Sequence, residues 1–128
     1  MGVEEGGVVK FCIPFLPPSV NTIYQIIFSQ RRVELKPDVR TFKTRAKEYV
    51  PRFNPEGKLV TADFIFTYNF YYKNGKLKKF DTQNLLKVLC DAIAEKCGFD
   101  DSLIKAGSWE SVHSDVKEQV EVKCETLS

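Results

Sequence analysis

No stretch of the chain is apolar for the roughly 20 residues that a helix needs to cross a bilayer, so no helical membrane span is expected. The start, Met1-Gly2-Val3-Glu4-Glu5-Gly6-Gly7, is acidic and glycine-rich, the wrong chemistry for a secretion signal. Residues 1–7 are expected to form a loose tail, and a cytoplasmic protein is the default. There is a single histidine, His113, and the four cysteines, Cys12, Cys90, Cys97 and Cys124, form no Cys-x-x-Cys pair. Structural zinc wants close ligand pairs that orient each other, so such a site is not expected here. Cys90 and Cys97 fall seven apart on one expected helix, too far to bridge, and the thiols read as free and buried. The chain also lacks a Gly-x-x-x-x-Gly-Lys-[Ser/Thr] phosphate loop, internal repeats and low-complexity tracts.

What is there suits one folded domain, residues 8–128. At 128 residues a chain buries roughly two thirds of its unfolded surface. A hydrophobic content of 43% and a charged content of 28% are ordinary for a globular protein. Net charge is only +2 but unevenly spread. Eight basic residues between Arg31 and Arg52 face three acids, giving +5 locally, and Lys73, Lys76, Lys78 and Lys79 add +4 without an acid among them. From Asp100 onward seven acids oppose three lysines. A basic front and an acidic back suit a face that binds a polyanion, nucleic acid first.

The pattern along the chain is α+β. Val8–Phe15 reads as a strand ended by Leu16-Pro17-Pro18-Ser19, because proline cannot donate to a ladder. Residues 21–28 are apolar but ambiguous between strand and helix. Pro37 opens a helix carrying Val39, Phe42, Ala46 and Tyr49-Val50 near a 3.6 period, and Pro51 and Pro55 close it. From Thr61 to Tyr72 the residues Ala62, Phe64, Phe66, Tyr68, Phe70 and Tyr72 take alternate positions, with Asp63, Thr67 and Asn69 on the other face, the mark of a half-buried strand. Asn74-Gly75 then predicts a type I′ hairpin turn, returning through Leu77–Phe80. A second helix follows Asp81, with Leu85, Val88, Leu89, Ala92 and Ile93 inward and Gly98 as its C-terminal cap. Closing strands are expected at Ile104–Val112 and Gln119–Cys124, with Trp109 in the packing. The expected architecture is a single-domain, mixed and mostly antiparallel sheet with two main helices.

The chemistry concentrates between Lys78 and Asp101. On the second helix Asn84, Lys87 and Asp91 return nearly to one azimuth. Asp81 stands at the helix start and Asp100-Asp101 just beyond its cap. Each has a bland reading: Asp81 as an N-cap contributing ~1 kcal/mol, Lys87 and Asp91 as an exposed ion pair contributing ~0.3–0.5 kcal/mol, and Asp100-Asp101 as turn residues. Together they are the inventory of a divalent-metal enzyme acting on a phosphodiester, with carboxylates for the metal and a cation for the phosphate. The separate pieces meet only if the fold bends the Asp100-Asp101 loop back over the helix.

Leu16-Pro17-Pro18-Ser19-Val20-Asn21, Phe42-Lys43, Asp81-x-x-Asn84-Leu85-x-Lys87-x-x-x-Asp91-Ala92-Ile93 and Gly98-Phe99-Asp100-Asp101 follow one another in a spacing that resembles the RusA family of Holliday-junction resolvases, over roughly residues 10–125. The resemblance implies a metal-dependent endodeoxyribonuclease, using magnesium with manganese as a substitute, that acts as a homodimer on paired strands of a four-way junction in recombination and repair. By position Asp81, Asp101 and Lys87 resemble the catalytic residues, with Asp81 and Asp101 as metal ligands and Gln83 and Asp100 as further candidates. Asn84 and Asp91 match supporting positions. The sequence departs from the family pattern at Gln83, where a second acid is usual; a neutral amide removes one negative charge from the metal site and favours one metal over two.

On this reading the metal lies against a scissile phosphate oxygen, water attacks in line to leave a 5′-phosphate and a 3′-hydroxyl, and Lys87 offsets the developing charge. Arg31, Arg32, Lys36, Arg40, Lys43, Lys76, Lys78 and Lys79 are the candidates for DNA phosphates. Phe80 and Tyr72 are candidates for stacking on bases or for the core. Three rivals stand beside it: a junction-binding protein of the same fold that has lost cleavage, a non-catalytic nucleic-acid module, and a hydrolase of small phosphate esters.

Overall fold

The longest alternation in the chain becomes an interior strand of its sheet. The structure, a computed structural model, describes residues 3–5, 7–16, 24–27, 32–78 and 82–127, with the backbone alone at 3–5, 24–27, 32, 35 and 106. The strands are β1 Val3–Glu5, β2 Val8–Ile13, β3 Tyr24–Ile27, β4 Arg32–Leu35, β5 Val60–Tyr68, β6 Ile104–His113 and β7 Gln119–Thr126, and the helices are α1 Pro37–Ala46 and α2 Thr82–Cys97. Five strands form one sheet in the order β1-β2-β7-β5-β6, and β3 pairs with β4 apart from it. Only β5 and β6 run parallel in the large sheet. A parallel pair needs a long crossover, and α2 lies in that crossover. The single-domain α+β fold with a mixed, mostly antiparallel sheet and two helices is the one expected.

One face of the sheet meets both helices. Val9, Phe11, Ile13, Ala62, Phe64, Phe66, Val120, Val122 and Cys124 are buried together with Val39, Phe42 and Ala46 of α1 and Leu86, Val88, Leu89, Ile93 and Ala94 of α2. Burying each large apolar side chain stabilises the fold by roughly 1.5–3 kcal/mol. No helix among the described residues is long and apolar enough to cross a membrane. Cys124 is buried and the other three cysteines half-buried, all four as free thiols.

Within the tail expected to be loose, Val3–Glu5 pairs antiparallel with Val8–Lys10 as β1. The other differences from the sequence reading lie mostly where pairing runs out. β2 ends at Ile13 rather than Phe15. β5 stops at Tyr68, where Ser114 N–H closes onto its carbonyl, since β6 ends at His113 and offers nothing to pair with. Beyond it Phe70 is half-buried and Tyr72 is 51% exposed. Tyr71 still bridges Leu77 in an antiparallel hairpin, but the turn is not type I′. Gly75 has φ 82° while Asn74 keeps negative φ. Gly75 N–H donates to the Tyr72 carbonyl and Tyr72 N–H to that of Lys76, so a wider loop with one left-handed glycine connects the arms. β4, a stretch informative in sequence only for its charge, was not anticipated. Trp109 sits on edge strand β6 and is 46% exposed, outside the core to which it was assigned. Beside it the register of β5 and β6 skips Gly107, where a Cβ would meet Asp63 Oδ1 at 2.5 Å.

Candidate active site

α2 places the site. Its inward residues Leu85, Val88, Leu89, Ala92 and Ile93 are buried as the 3.6 period required. On its other side Gln83 and Lys87 are exposed and Asn84 and Asp91 half-buried. The helix ends as expected: Gly98 takes φ 76°, and the N–H groups of Gly98 and Phe99 donate to the Ala94 carbonyl. The chain then folds back through a short 3-10 turn, Asp101–Leu103, capped by Asp100, whose Oδ1 accepts Ser102 N–H at 2.9 Å. That bend lays Asp101 against Asp91.

The two carboxyls share a side-chain hydrogen bond. Burial first, then the bond to Asp101, pushes the Asp91 carboxyl up from 3.8 to about 6, with Lys43 and Lys87 pulling the other way. Asp100 is held below the usual carboxylate range by the Ser102 backbone and side-chain bonds. Asp91, Asp100 and Asp101 border a cleft of about 250 Å³, lined also by Ala94, Glu95 and Phe99.

Glu95 was missed by sequence reasoning. It lies one helical turn beyond Asp91 and receives Lys43 and Lys47, themselves one turn apart on the basic helix and its continuation. Burial raises the Glu95 carboxyl, but the two lysines outweigh it and hold it low. Lys43 therefore sits beside the carboxylates: its side chain is 16% exposed, paired with Glu95 and acting on Asp91. The i,i+4 matches, Asp91 with Glu95 and Lys43 with Lys47, were the available signal.

Other predicted positions are scattered. Asp81, Arg31, Lys79 and Phe80 lie outside the described residues, as does the side chain of Arg32. Arg40 is 3.7 Å from Glu34, and Lys36 is half-buried just before α1. Lys76 is exposed on the hairpin and Lys78 Nζ lies 5.6 Å from the Tyr72 ring centroid. Among the described residues no group of three His, Cys, Asp or Glu is gathered for a metal. Asp91 and Asp101, with Asp100 beside them, offer only hard oxygen donors, the set that suits magnesium-like cations with retained water.

A larger concavity of about 490 Å³ opens on the other face of the sheet, between Lys10, Cys12, Asp63, Ile65, Glu121 and Lys123. There the register sets Lys123 beside Asp63 and Ile65 beside Glu121, alternating charge and apolar groups without converging carboxylates.

The family model described as Endodeoxyribonuclease RusA matches residues 14–125, nearly the whole chain and all of the site elements. No curated protein matches the chain.

Proposed function

Since the chain belongs to the RusA endodeoxyribonuclease family, we propose that it is a metal-dependent, structure-specific endonuclease that resolves four-way DNA junctions as a homodimer. The observation that carries this reading is the meeting of Asp91 and Asp101 beside the helix face that bears Lys87, within a chain that matches the family over residues 14–125. Asp81, covalently next to the first residue of α2, is assigned with Asp101 as a ligand of one magnesium or manganese ion, and Gln83 and Asp100 as weaker donors. Such a cation, when bound, supplies Lewis-acid polarisation of the phosphate.

The side chains of the protein then have separate tasks. Lys87, exposed on the helix face, offsets charge that develops on the phosphate oxygens. Asp91 orients Asp101 through their hydrogen bond, and must release its proton before both carboxylates can serve a cation. Lys43 and Lys47 fix Glu95 and so join α1 to α2 at the rim of the cleft. Arg31, Arg32, Lys36, Arg40, Lys76, Lys78 and Lys79 are assigned to DNA phosphates, where each neutralised phosphate on duplex adds about 0.9 to the log-log salt slope. A two-fold axis would present two equal sites to a branched DNA that is itself nearly two-fold symmetric.

The test is an end-labelled immobile four-way junction beside a linear duplex, each with EDTA, magnesium or manganese. Paired symmetric nicks that need metal and the junction support the proposal. Tight junction binding without cutting in either metal favours a binding protein of the same fold, and sedimentation as a monomer on and off DNA removes the dimer.

A further inference from the structure

The hairpin Tyr71–Leu77 is not absorbed by the carboxylate site, and its composition is unusual for a loop. Tyr71, Tyr72 and Leu77 are 49%, 51% and 65% exposed. No acid occurs between Phe64 and Phe80, while Lys73, Lys76, Lys78 and Lys79 all do. Solvated loops carry polar residues, so large apolar groups kept at the tip of a basic arm mark a contact surface.

The arm is rooted. Phe70 N–H donates to His113 Nδ1 at 3.1 Å, and the His113 ring packs on Phe70 and edge-to-face on Tyr71. His113 Nε2 is 3.0 Å from Asp115. Tyr71 is thus an anchor, tied to the end of β6. Tyr72 points to the other side of the two-stranded arm, since successive residues of a strand alternate. Its ring holds the Lys78 ammonium 5.6 Å from its centroid, inside cation–π range. A half-exposed ring with a lysine over it and another lysine, Lys76, hydrogen-bonded across the arm through the backbone has the elements of a nucleobase platform: a π-face for the base and cations for the flanking phosphates.

We infer that this hairpin is a base-stacking arm, in which Tyr72 takes the exposed face of an unstacked DNA base and Lys76 and Lys78 take the adjoining phosphates. The inference rests on the DNA-cleaving reading and deepens it by naming what distinguishes branched from linear DNA: bases at the branch whose π-face has lost its stacked neighbour. The arm joins the site covalently, because Lys78 is three residues before Asp81.

The experiment is fluorescence titration in EDTA with 2-aminopurine placed in a single strand, at the branch point of a four-way junction, and in a linear duplex. Stacking on a tyrosine quenches the probe. The wild type is expected to quench it in the single strand and the junction, and not in the duplex. Tyr72→Ala should abolish the quench and weaken binding at least about fivefold, as loss of one stacked base does, whereas Tyr72→Phe should keep both. Lys76→Ala with Lys78→Ala should leave the quench at saturation and flatten the single-strand salt slope by about 1.4. Unchanged quench and affinity in Tyr72→Ala would overturn the arm. So would a Tyr72→Ala change confined to sedimentation mass, which would assign the hairpin to contact with a second copy. Quenching in the single strand with equal affinity for junction and duplex would remove the junction reading and leave the arm standing; no quench on any DNA by the wild type would remove the arm.

Discussion

Asp91 and Asp101, ten residues apart in the chain, meet carboxyl to carboxyl across the gap between α2 and the turn that follows it. Because Asp91 titrates near 6 rather than 3.8, the folded protein binds a proton there that the unfolded chain has already released. The stability this group contributes is full below about pH 4 and is lost as pH rises to about 6. Asp91→Asn keeps a hydrogen-bond donor to Asp101 but cannot titrate. The variant should therefore gain on the wild type, in thermal melts without metal, as pH rises from 4 to 6.5. A difference in melting temperature that is flat across that window would refute the raised Asp91 carboxyl.

If Asp91 and Asp101 hold the proposed cation, it competes with the proton on Asp91. Magnesium should raise the melting temperature of the wild type more at pH 7.5 than at pH 5, a stabilisation of about 2.7 kcal/mol at a concentration one hundred times its Kd. Asp101→Asn should lose most of that stabilisation at every pH. Equal metal stabilisation in wild type and variant would place the cation elsewhere.

Lys87 projects from the same helix face and acts on Asp91. If its task is charge on the reacting phosphate, Lys87→Ala should lower kcat about 10²–10³-fold. Junction affinity measured in EDTA should change by less than about threefold. A variant that loses binding and cutting in parallel would instead make Lys87 a phosphate-contact residue.

Gln83 is exposed in the first turn of α2, which carries no acid. Gln83→Asp adds a hard ligand beside Asp81 and a negative charge at the positive end of the helix. Half-saturating magnesium in the cleavage assay should fall roughly tenfold, and the metal-free protein should gain about 0.5 kcal/mol from the helix dipole. A gain in stability without any change in metal requirement would show that position 83 faces away from the cation.

Gly98 holds the bend that returns the chain to the site. Its φ of 76° is a conformation that only glycine adopts freely, and a Cβ there would meet nothing within 4 Å. Gly98→Ala should therefore lose about 1–2 kcal/mol in urea denaturation through backbone strain alone. A near-neutral result would mean that the cap rearranges, and Asp101 with it.

Much of this was legible because helix and strand periods are written directly in side-chain order. The alternation from Ala62 to Tyr68, the inward stripe Leu85–Ile93, the glycine cap at Gly98 and the two closing strands all needed only local rules. So did the polar helix face carrying Asn84, Lys87 and Asp91. What failed were judgements about neighbours. Trp109 looks like core by chemistry, yet it falls on an edge strand. Asn74-Gly75 favours one turn, but the bridge between Tyr71 and Leu77 fixed the spacing of the arms and selected another.

The site shows the same division. The sequence by itself determined which residues could do chemistry and which helix would carry them, since residue type and period are local properties. Only the tertiary structure decided that Asp101 meets Asp91, that Glu95 joins them at the cleft, and that Lys43 turns inward to Glu95. Those contacts depend on the direction of the chain after Gly98 and on α1 packing against α2, and both are set by burying the shared apolar face on the sheet, a requirement that no single segment encodes.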